Sequence, residues 1–361
     1  MRILHTESSR GWGGQEIRIL QEAEGMRDRG HEVIFAINTK GALIPRAKEA
    51  GFVVYELPFK KTLALTTIYS LIKIFKAHHI DLINTHSSLD AWIGGIAAKI
   101  AKKKIIRTRH LSTPIRKGLN SKILYGCLSD FVVTTSSSIL TTIKEQAGLP
   151  SFRLQCIPTG IDPQHLKADP LKAAEFRAML GVGPSDILVG TACFVRSWKG
   201  IQDLLQAAVL LKSRKEIKWV IVGGGHVNDY RSKIPQLGLE KVVSFTGHLE
   251  VPFSAIRSMD IFVLLSTAHE GISQASLQAA YLERPLVTTT IGGLPEVCLN
   301  GETGLTIPPQ SPESVAKAVA KLADNPQLRA HLGSQAKQHV EEKFTMQRTL
   351  DEMEKVYAML T

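Results

Sequence analysis

Short apolar runs alternate with longer amphipathic stretches along the whole chain, and this alternation constrains the fold more than any other feature. Arg2 to Thr6, His31 to Ile37, Asp81 to Thr85, Lys104 to Thr108 and Phe131 to Thr135 read as buried strands, and Gln15 to Arg29 as a helix between the first two. Strands separated by helices need crossover connections, so the sheet should be parallel and covered on both faces. The pattern restarts after Ile157-Pro-Thr-Gly-Ile-Asp162, where Pro and Gly interrupt the periodicity and place a hinge. Strands are then expected at Ile187 to Thr191, Trp219 to Val222, Val243 to Phe245, Ile261 to Leu265 and Leu286 to Thr289, and helices at Leu277 to Leu282 and Pro312 to Leu322. The expected fold class is α/β, with two doubly wound Rossmann-like domains, residues 1–160 and 161–340, facing each other across a cleft. A last helix within 341–361, Thr345 to Leu360, should pack back on the first domain. Such sheets bind ligands beyond the carboxyl ends of their strands, which makes that cleft the candidate site.

Composition narrows the class further. With 361 residues, 44% hydrophobic and 21% charged, the chain is neither a short peptide module nor a disordered tail. Cys127, Cys156, Cys193 and Cys298 stand far apart without a C-x-x-C pair, so neither a thiolate zinc site nor a disulfide framework is indicated, and a reducing, cytoplasmic setting fits. No run of about 18 apolar residues occurs, and the opening MRILHTESS turns polar too soon for a signal peptide.

Charge is divided unevenly. Residues 1 to 160 hold 23 Lys+Arg and 12 Asp+Glu, a net +11, whereas residues 161 to 361 hold 21 of each and are neutral. Lys99, Lys102, Lys103, Lys104, Arg107, Arg109, Arg116 and Lys117 form a dense run. Such a field suits an anionic glycan or glycolipid, or an anionic membrane surface at which the protein would dock peripherally; it also fits a solvated face that only aids solubility. Nucleic acid is not expected, because the basic residues are not interleaved with an aromatic stacking platform. Ile68, Leu71, Ile72 and Phe75 recur at helical spacing beside Lys73 and Lys76, as in an interfacial helix or an ordinary crossover helix packed on its sheet.

The chemistry-bearing motifs cluster after predicted strands. His269-Glu270-Gly271-Ile272-Ser273-Gln274 follows the strand Ile261 to Leu265, and a strand, a Gly loop and a helix start aim backbone N–H groups and a positive dipole end at one point. That arrangement suits a phosphate. Glu270 stands beside it, placed to accept from sugar hydroxyls, although on spacing alone it also fits a carboxylate that merely meets the dipole. Gly11-Trp12-Gly13-Gly14 lies between a strand and a helix, where missing side chains permit close backbone approach to a phosphate or simply a tight turn. It is not the G-x-G-x-x-G dinucleotide fingerprint.

Taken together, Glu270-Gly271 through Gly292-Gly293-Leu294-Pro295-Glu296-Val297 and Asn300-Gly301-Glu302-Thr303-Gly304-Leu305 resemble the donor-site signature of the retaining glycosyltransferases of family 4, which have the GT-B architecture. Gly13-Gly14, Thr85-His86, Ile157 to Asp162, Arg196-Ser-Trp-Lys199-Gly200 and Gly223-Gly224-Gly225 occur in the matching order, so the resemblance covers nearly the whole chain. It implies transfer of a sugar from a nucleotide-diphosphate donor, with the second domain holding the donor and the first meeting the acceptor.

By that resemblance Arg196 and Lys199 clamp the diphosphate in place of a metal ion, and neither metal nor other cofactor is expected; no D-x-D triad is present. Gly13, Gly14, Gly271, Ile272, Ser273, Leu277 and Gln278 would line the donor, His86 would hydrogen-bond the donor sugar, and Arg107, Arg109 and His110 would face an acidic acceptor. Two positions depart from the family pattern. Gln278 stands where a second glutamate binds the ribose diol, and an amide offers a single acceptor oxygen; Thr159 stands where Asn is common. The implied activity is transfer to a cell-envelope glycan or glycolipid of lipopolysaccharide type. The alternatives are a GT-B nucleotide-sugar epimerase, and a non-catalytic sugar-nucleotide or basic-surface binding protein.

Overall fold

The computed structural model describes residues 1–115 and 117–361. Arg116, counted in the basic run, lies outside the described residues. Two compact units are present, one formed by Met1–Gly160 with Met346–Thr361 and the other by Ile161–Thr345.

In the first unit the strands are β1 (Arg2–Glu7), β2 (Glu32–Asn38), β3 (Val53–Leu57), β4 (Leu82–Thr85), β5 (Lys104–Arg109), β6 (Phe131–Thr134) and β7 (Leu154–Cys156). All pair in parallel, in the order β3-β2-β1-β4-β5-β6-β7. The longer helices are α1 (Gly14–Asp28), α2 (Ala64–Ala77), α3 (Ser88–Ile100) and α4 (Ser137–Ala147). Successive residues of a strand point to opposite faces, so in β1 Ile3 enters a core with Ile19, Phe35 and Met26, while Leu4 enters a separate core with Ile34, Leu71 and Phe75. Both faces of the sheet are thereby sealed, as a parallel sheet requires.

The second unit repeats the design with β8 (Ile187–Ala192), β9 (Ile217–Val222), β10 (Val243–Gly247), β11 (Ile261–Leu264), β12 (Leu286–Thr289) and β13 (Gly304–Ile307), in the order β10-β9-β8-β11-β12-β13. Its longer helices are α5 (Pro170–Met179), α6 (Ile201–Leu210), α7 (Gln274–Tyr281), α8 (Pro312–Ala323) and α9 (Pro326–Lys343). The chain then returns to the first unit as α10 (Met346–Leu360), which packs on α1.

Strands β3, β7 and β13 have no counterpart among the strands expected from sequence. They are short edge strands: β3 has 5 residues, β7 has 3 and β13 has 4, too short to show a period of their own. On α2 the buried face is Thr67, Ile68, Leu71, Ile74 and Phe75. Ile74 therefore joins the expected stripe, Ile72 packs half-buried at its margin, and the stripe faces the sheet. The outward face carries Leu65 and Tyr69, and neighbouring α3 exposes Ile96 and Ile100.

In both sheets the strand order reverses direction beside the first strand, between β1 and β4 and between β8 and β11. A doubly wound sheet leaves its ligand crevice at the carboxyl ends of such a pair. Glu7 ends β1, His86 follows β4, Cys193 to Arg196 follow β8, and Ser266 to Glu270 follow β11.

Candidate active site

In the second unit the loops leaving β8, β9 and β11 pack backbone against backbone. Gly200 has φ +68°, and a Cβ there would lie 1.9 Å from the Leu265 carbonyl oxygen; at Gly223, with φ +141°, it would lie 1.8 Å from the Cys193 oxygen. Only glycine fits either place. This close approach brings Lys199 Nζ onto Glu270 Oε1, which also accepts from Ser266 Oγ at 2.6 Å. The pair is largely shielded, with side-chain exposures of 18% for Lys199 and 6% for Glu270. Burial is the largest influence and opposes the ammonium charge, but the charge and hydrogen bond of Glu270, with Cys193, together outweigh it and raise the Lys199 pKa. Both donors fall on one carboxylate oxygen, so Oε2 keeps its lone pairs.

Arg196 differs from Lys199. It is exposed, has no carboxylate partner among the described residues, and its guanidinium lies 5.1 Å from the ring centres of both Phe194 and Trp198. Trp198 meets His269 edge to face at 5.4 Å. His269 holds φ +63°, uncommon outside glycine, and its Nδ1 is buried without a partner. Four residues on, Ser273 caps α7, its Oγ accepting from Ser276 N at 3.3 Å. One ion-paired cation, one free cation and a helix start thus share the carboxyl edge of β8 and β11.

In the first unit the same edge carries buried polar groups. His5 Nδ1 lies 2.8 Å from His86 Nε2, and His86 Nδ1 lies 3.0 Å from His110 Nε2. Glu7 accepts from Ser9 N at 2.6 Å, from Gln15 Nε2 and from Ser87 Oγ. Burial, with Asp90 and Glu16 nearby, pushes its pKa up to about 8. Asp90 receives Thr6 Oγ1 at 3.0 Å, Ser8 Oγ at 2.9 Å and the His86 amide at 2.9 Å, which fixes the turn from β4 into α3. Gly13, extended at φ −164°, donates its N–H to Glu16 Oε2 at 2.9 Å and opens α1, with Gly14 as the first helical residue.

Two family models match the chain: Glycosyltransferase Family 4 over residues 12–165 and Glycosyl transferases group 1 over residues 177–339. Each falls on one of the two sheets just described. The chain belongs to glycosyltransferase family 4. It is 25% identical over 325 residues, 84% of each chain, to the capsular polysaccharide biosynthesis glycosyltransferase CapM of Staphylococcus aureus. It is 24% identical over 348 residues to the N-acetyl-alpha-D-glucosaminyl L-malate synthase of Bacillus anthracis, covering 87% of this chain and 90% of that one. The crystal structure of Anabaena HepE in complex with UDP and glucose superposes with a TM-score of 0.88 at 22% identity, covering both chains fully.

In this glycosyltransferase Arg196, Lys199, Glu270, Gly271 and Ser273 lie on the loops that follow β8 and β11, and the half-buried Gln278 lies a turn further on, within α7. Several other expectations need correction. Leu277, on the inward face of α7, is 0% exposed, and Ile272, in the loop before it, is 7% exposed; both side chains are within the apolar core and are not free to touch a ligand. His86 spends both ring nitrogens on His5 and His110, so it has none to offer a donor sugar. Arg107 donates to the Ser87 carbonyl, and Arg109 to Tyr125 Oη and to Thr113, the latter through Nη2 and Oγ1 at 2.9 Å. Both guanidiniums hold the fold and are not presented to an acceptor. His110 remains, at the more accessible end of its chain.

Sequence reasoning on this transferase missed His5, Glu7, Gln15 and Asp90. Glu7 and Asp90 are single carboxylates in unremarkable contexts, and only the β1-β4 pairing brings them together. The signal that existed was positional: Glu7 closes the first strand, at the switch point.

Proposed function

We propose that this enzyme transfers a sugar, with retention of configuration and without a metal ion, from a nucleotide-diphosphate sugar to a cell-envelope glycan or glycolipid. The observation that carries the reading is the Lys199–Glu270 ion pair at the carboxyl edge of β8 and β11, beside the free Arg196 and the start of α7. An arriving diphosphate competes with Glu270 for Lys199 and meets Arg196 and the α7 amides as well, so leaving-group charge is opposed by groups already in place. Glu270, relieved of its cation, then accepts from sugar hydroxyls and stabilises the oxocarbenium-like transition state.

In the proposed step the bond from the anomeric carbon to the β-phosphate oxygen breaks as the acceptor oxygen bonds to the same face of that carbon. The acceptor proton passes to the departing phosphate oxygen, so no protein base is consumed. HepE, which holds UDP, makes uridine nucleotides the first to test, and CapM, a capsular polysaccharide enzyme, supports an envelope acceptor.

The positive charge of the first unit is assigned to a surface. Lys102 and Lys103 precede β5 and Lys104 opens it, so all three stand at the amino edge of the sheet, opposite His86 and Glu7. On α2 Lys73 lies 4.6 Å over the exposed Tyr69 ring and Leu65 is exposed as well, while the neighbouring α3 exposes Ile96 and Ile100. Basic and apolar side chains on adjacent helices suit peripheral docking on an anionic membrane at its cytoplasmic face. Among the described residues no helix is long and apolar enough to cross a membrane.

A thermal-shift panel of sugar nucleotides tests the donor reading: one donor should raise Tm in the wild type through binding to the native state and fail to do so in Lys199→Ala. Transfer assayed with that donor separates the alternatives. Donor consumption without acceptor would point to an epimerase, and binding without turnover to a non-catalytic protein.

A further inference from the structure

The amino ends of β1, β4 and β5 meet in register, since Ile3 pairs with Leu82 and Leu82 with Lys104. One residue earlier, Arg2, Asp81 and Lys103 therefore stand side by side. With Phe75 and Lys76 of α2 and His79 beyond it, they line an open cavity of about 660 Å³ at the strand ends opposite Glu7 and His86. Asp81 is its only acid, and Asp81 Oδ2 accepts from the Arg2 amide at 2.8 Å. Arg2 pairs in turn with Glu32 at 3.1 Å, and Lys99 on α3 is spent on Asp130. Lys76 and the half-buried Lys103 have no carboxylate partner among the described residues. With Arg2 set against Glu32, the two lysines outweigh Asp81, and the cavity is positive before His79 is counted.

The backbone at the rim points the same way. Both α2 and α3 end in a Schellman turn: Ile80 N–H donates to the Phe75 carbonyl at 3.0 Å and His79 N–H to the Lys76 carbonyl at 3.3 Å, while Lys103 N–H donates to Ala98 at 2.9 Å and Lys102 N–H to Lys99 at 3.3 Å. The residue just past the cap of such a turn is left-handed and is usually glycine. Gly30 takes that place after α1, and Gly51 after the helix Leu43–Glu49. After α2 and α3 it is taken by His79, at φ +46°, and Lys102, at φ +53°. A side chain there strains the backbone. Complementing the carboxyl end of a helix accounts for a cation on the last turn, such as Lys76. It gives no reason to forgo glycine at two neighbouring turns beside one cavity.

We propose that this cavity binds a phosphomonoester borne on a hydroxylated head group. Lys76 and Lys103 meet the phosphate, His79 closes its rim, and Asp81 Oδ1, which has no donor among the described residues, accepts from a hydroxyl. Lysine recognises phosphate as a point charge, without a fixed direction of approach, and a dianion balances two of them. The cavity is far larger than a phosphate ion, so the phosphate is one end of a bigger molecule. A lipid headgroup and a soluble phosphate ester share this chemistry.

Calorimetric titration of the full chain with glycerol 1-phosphate at low salt tests the site. The wild type should bind, and Lys76→Gln and Lys103→Gln should each weaken binding about tenfold. Lys60→Gln with Lys61→Gln, which removes as much charge beyond β3, should leave it unchanged, and so should Lys199→Ala. His79→Gly should weaken binding yet raise the Tm of the ligand-free protein, because the turn loses its strain. Vesicles separate the two sources. Stronger sedimentation with phosphatidic acid, a phosphomonoester, than with phosphatidylglycerol, a phosphodiester, at matched surface charge assigns a lipid, provided the preference is lost in Lys76→Gln with Lys103→Gln. Equal sedimentation alongside binding of glycerol 1-phosphate assigns a soluble ester. Neither titration binding nor a vesicle preference would overturn the proposal, as would equal weakening by the two lysine pairs, a His79→Gly variant unchanged in both binding and Tm, or loss of binding in Lys199→Ala, which would put the phosphate in the donor site. Absence of transferase activity would instead overturn the proposed function and leave this result standing.

Discussion

At the scale of single residues, the second unit's candidate site is centred on the Lys199–Glu270 ion pair. Lys199→Ala leaves Glu270 buried with Ser266 as its remaining donor, so it should cost stability, by about 1–3 kcal/mol given that Lys199 keeps some solvent. The double variant Lys199→Met with Glu270→Gln should recover part of that loss in urea denaturation while transfer remains down on the order of a hundredfold or more. Titration behaviour follows from the first unit. The three histidines have native pKa values below their unfolded ones, so the unfolded chain binds more protons at acid pH. Their contribution is present above the unfolded value of 6.5 and fades as pH falls below it. Glu7 has the opposite sign: raised to about 8 from 4.5, it favours folding below 4.5 and loses that contribution as pH climbs through about 8. Denaturation midpoints should therefore fall as pH rises from about 6.5 to about 8 in the wild type and fall less in Glu7→Gln. Cations and glycines after strands could be read in the chain, because their chemistry is local; the partnerships of His5, Glu7 and Asp90 could not, because they join residues some 80 positions apart.

Among the elements, helix starts and loop glycines carry the positioning. Ser273→Ala removes the cap of α7 and should destabilise by about 1 kcal/mol, measurable by chemical denaturation, with weaker donor binding alongside. Gly200→Ala should be far worse, since its positive φ and its contact with the Leu265 carbonyl leave no space for a methyl group; loss of soluble, folded protein on expression is the expected outcome. Long strands and helices were visible through their periodicity, and β1 and α8 end within a residue of where the pattern stops. The apolar stripe of α2 was visible too, but which way it faced was not. Its spacing suits a membrane or a sheet equally, and the sheet captures it because Leu71 and Phe75 fill the core beside Leu4 and Ile34.

For the whole molecule, the chain order of the units matters. The last segment, α10, belongs to the first unit: Tyr357 donates to Glu22 Oε1 at 2.8 Å, Thr349 Oγ1 donates to the Pro158 carbonyl at 2.9 Å, and Arg29 pairs with Glu354 at 2.8 Å. Ending the chain at Thr345 strips Met353, Val356 and Tyr357 from a sealed core and takes the Tyr357 hydroxyl donor from the buried Glu22. The first unit should then unfold at a lower temperature than the second, giving two transitions in calorimetry. Its basic face should bind anionic vesicles and not neutral ones, with binding lost as salt rises; failure to sediment with anionic vesicles at low salt would remove membrane docking. What the sequence determined by itself was everything carried by short-range pattern: two parallel α/β units, the returning helix, and the Gly-containing motifs after β8 and β11. What the tertiary structure alone decided was which polar groups are spent and which are free. Lys199 is paired and Arg196 is not, Arg107 and Arg109 brace loops, and His86 is enclosed between two other rings, because hydrogen-bond partners are chosen by strands that become neighbours only when the sheet closes over them.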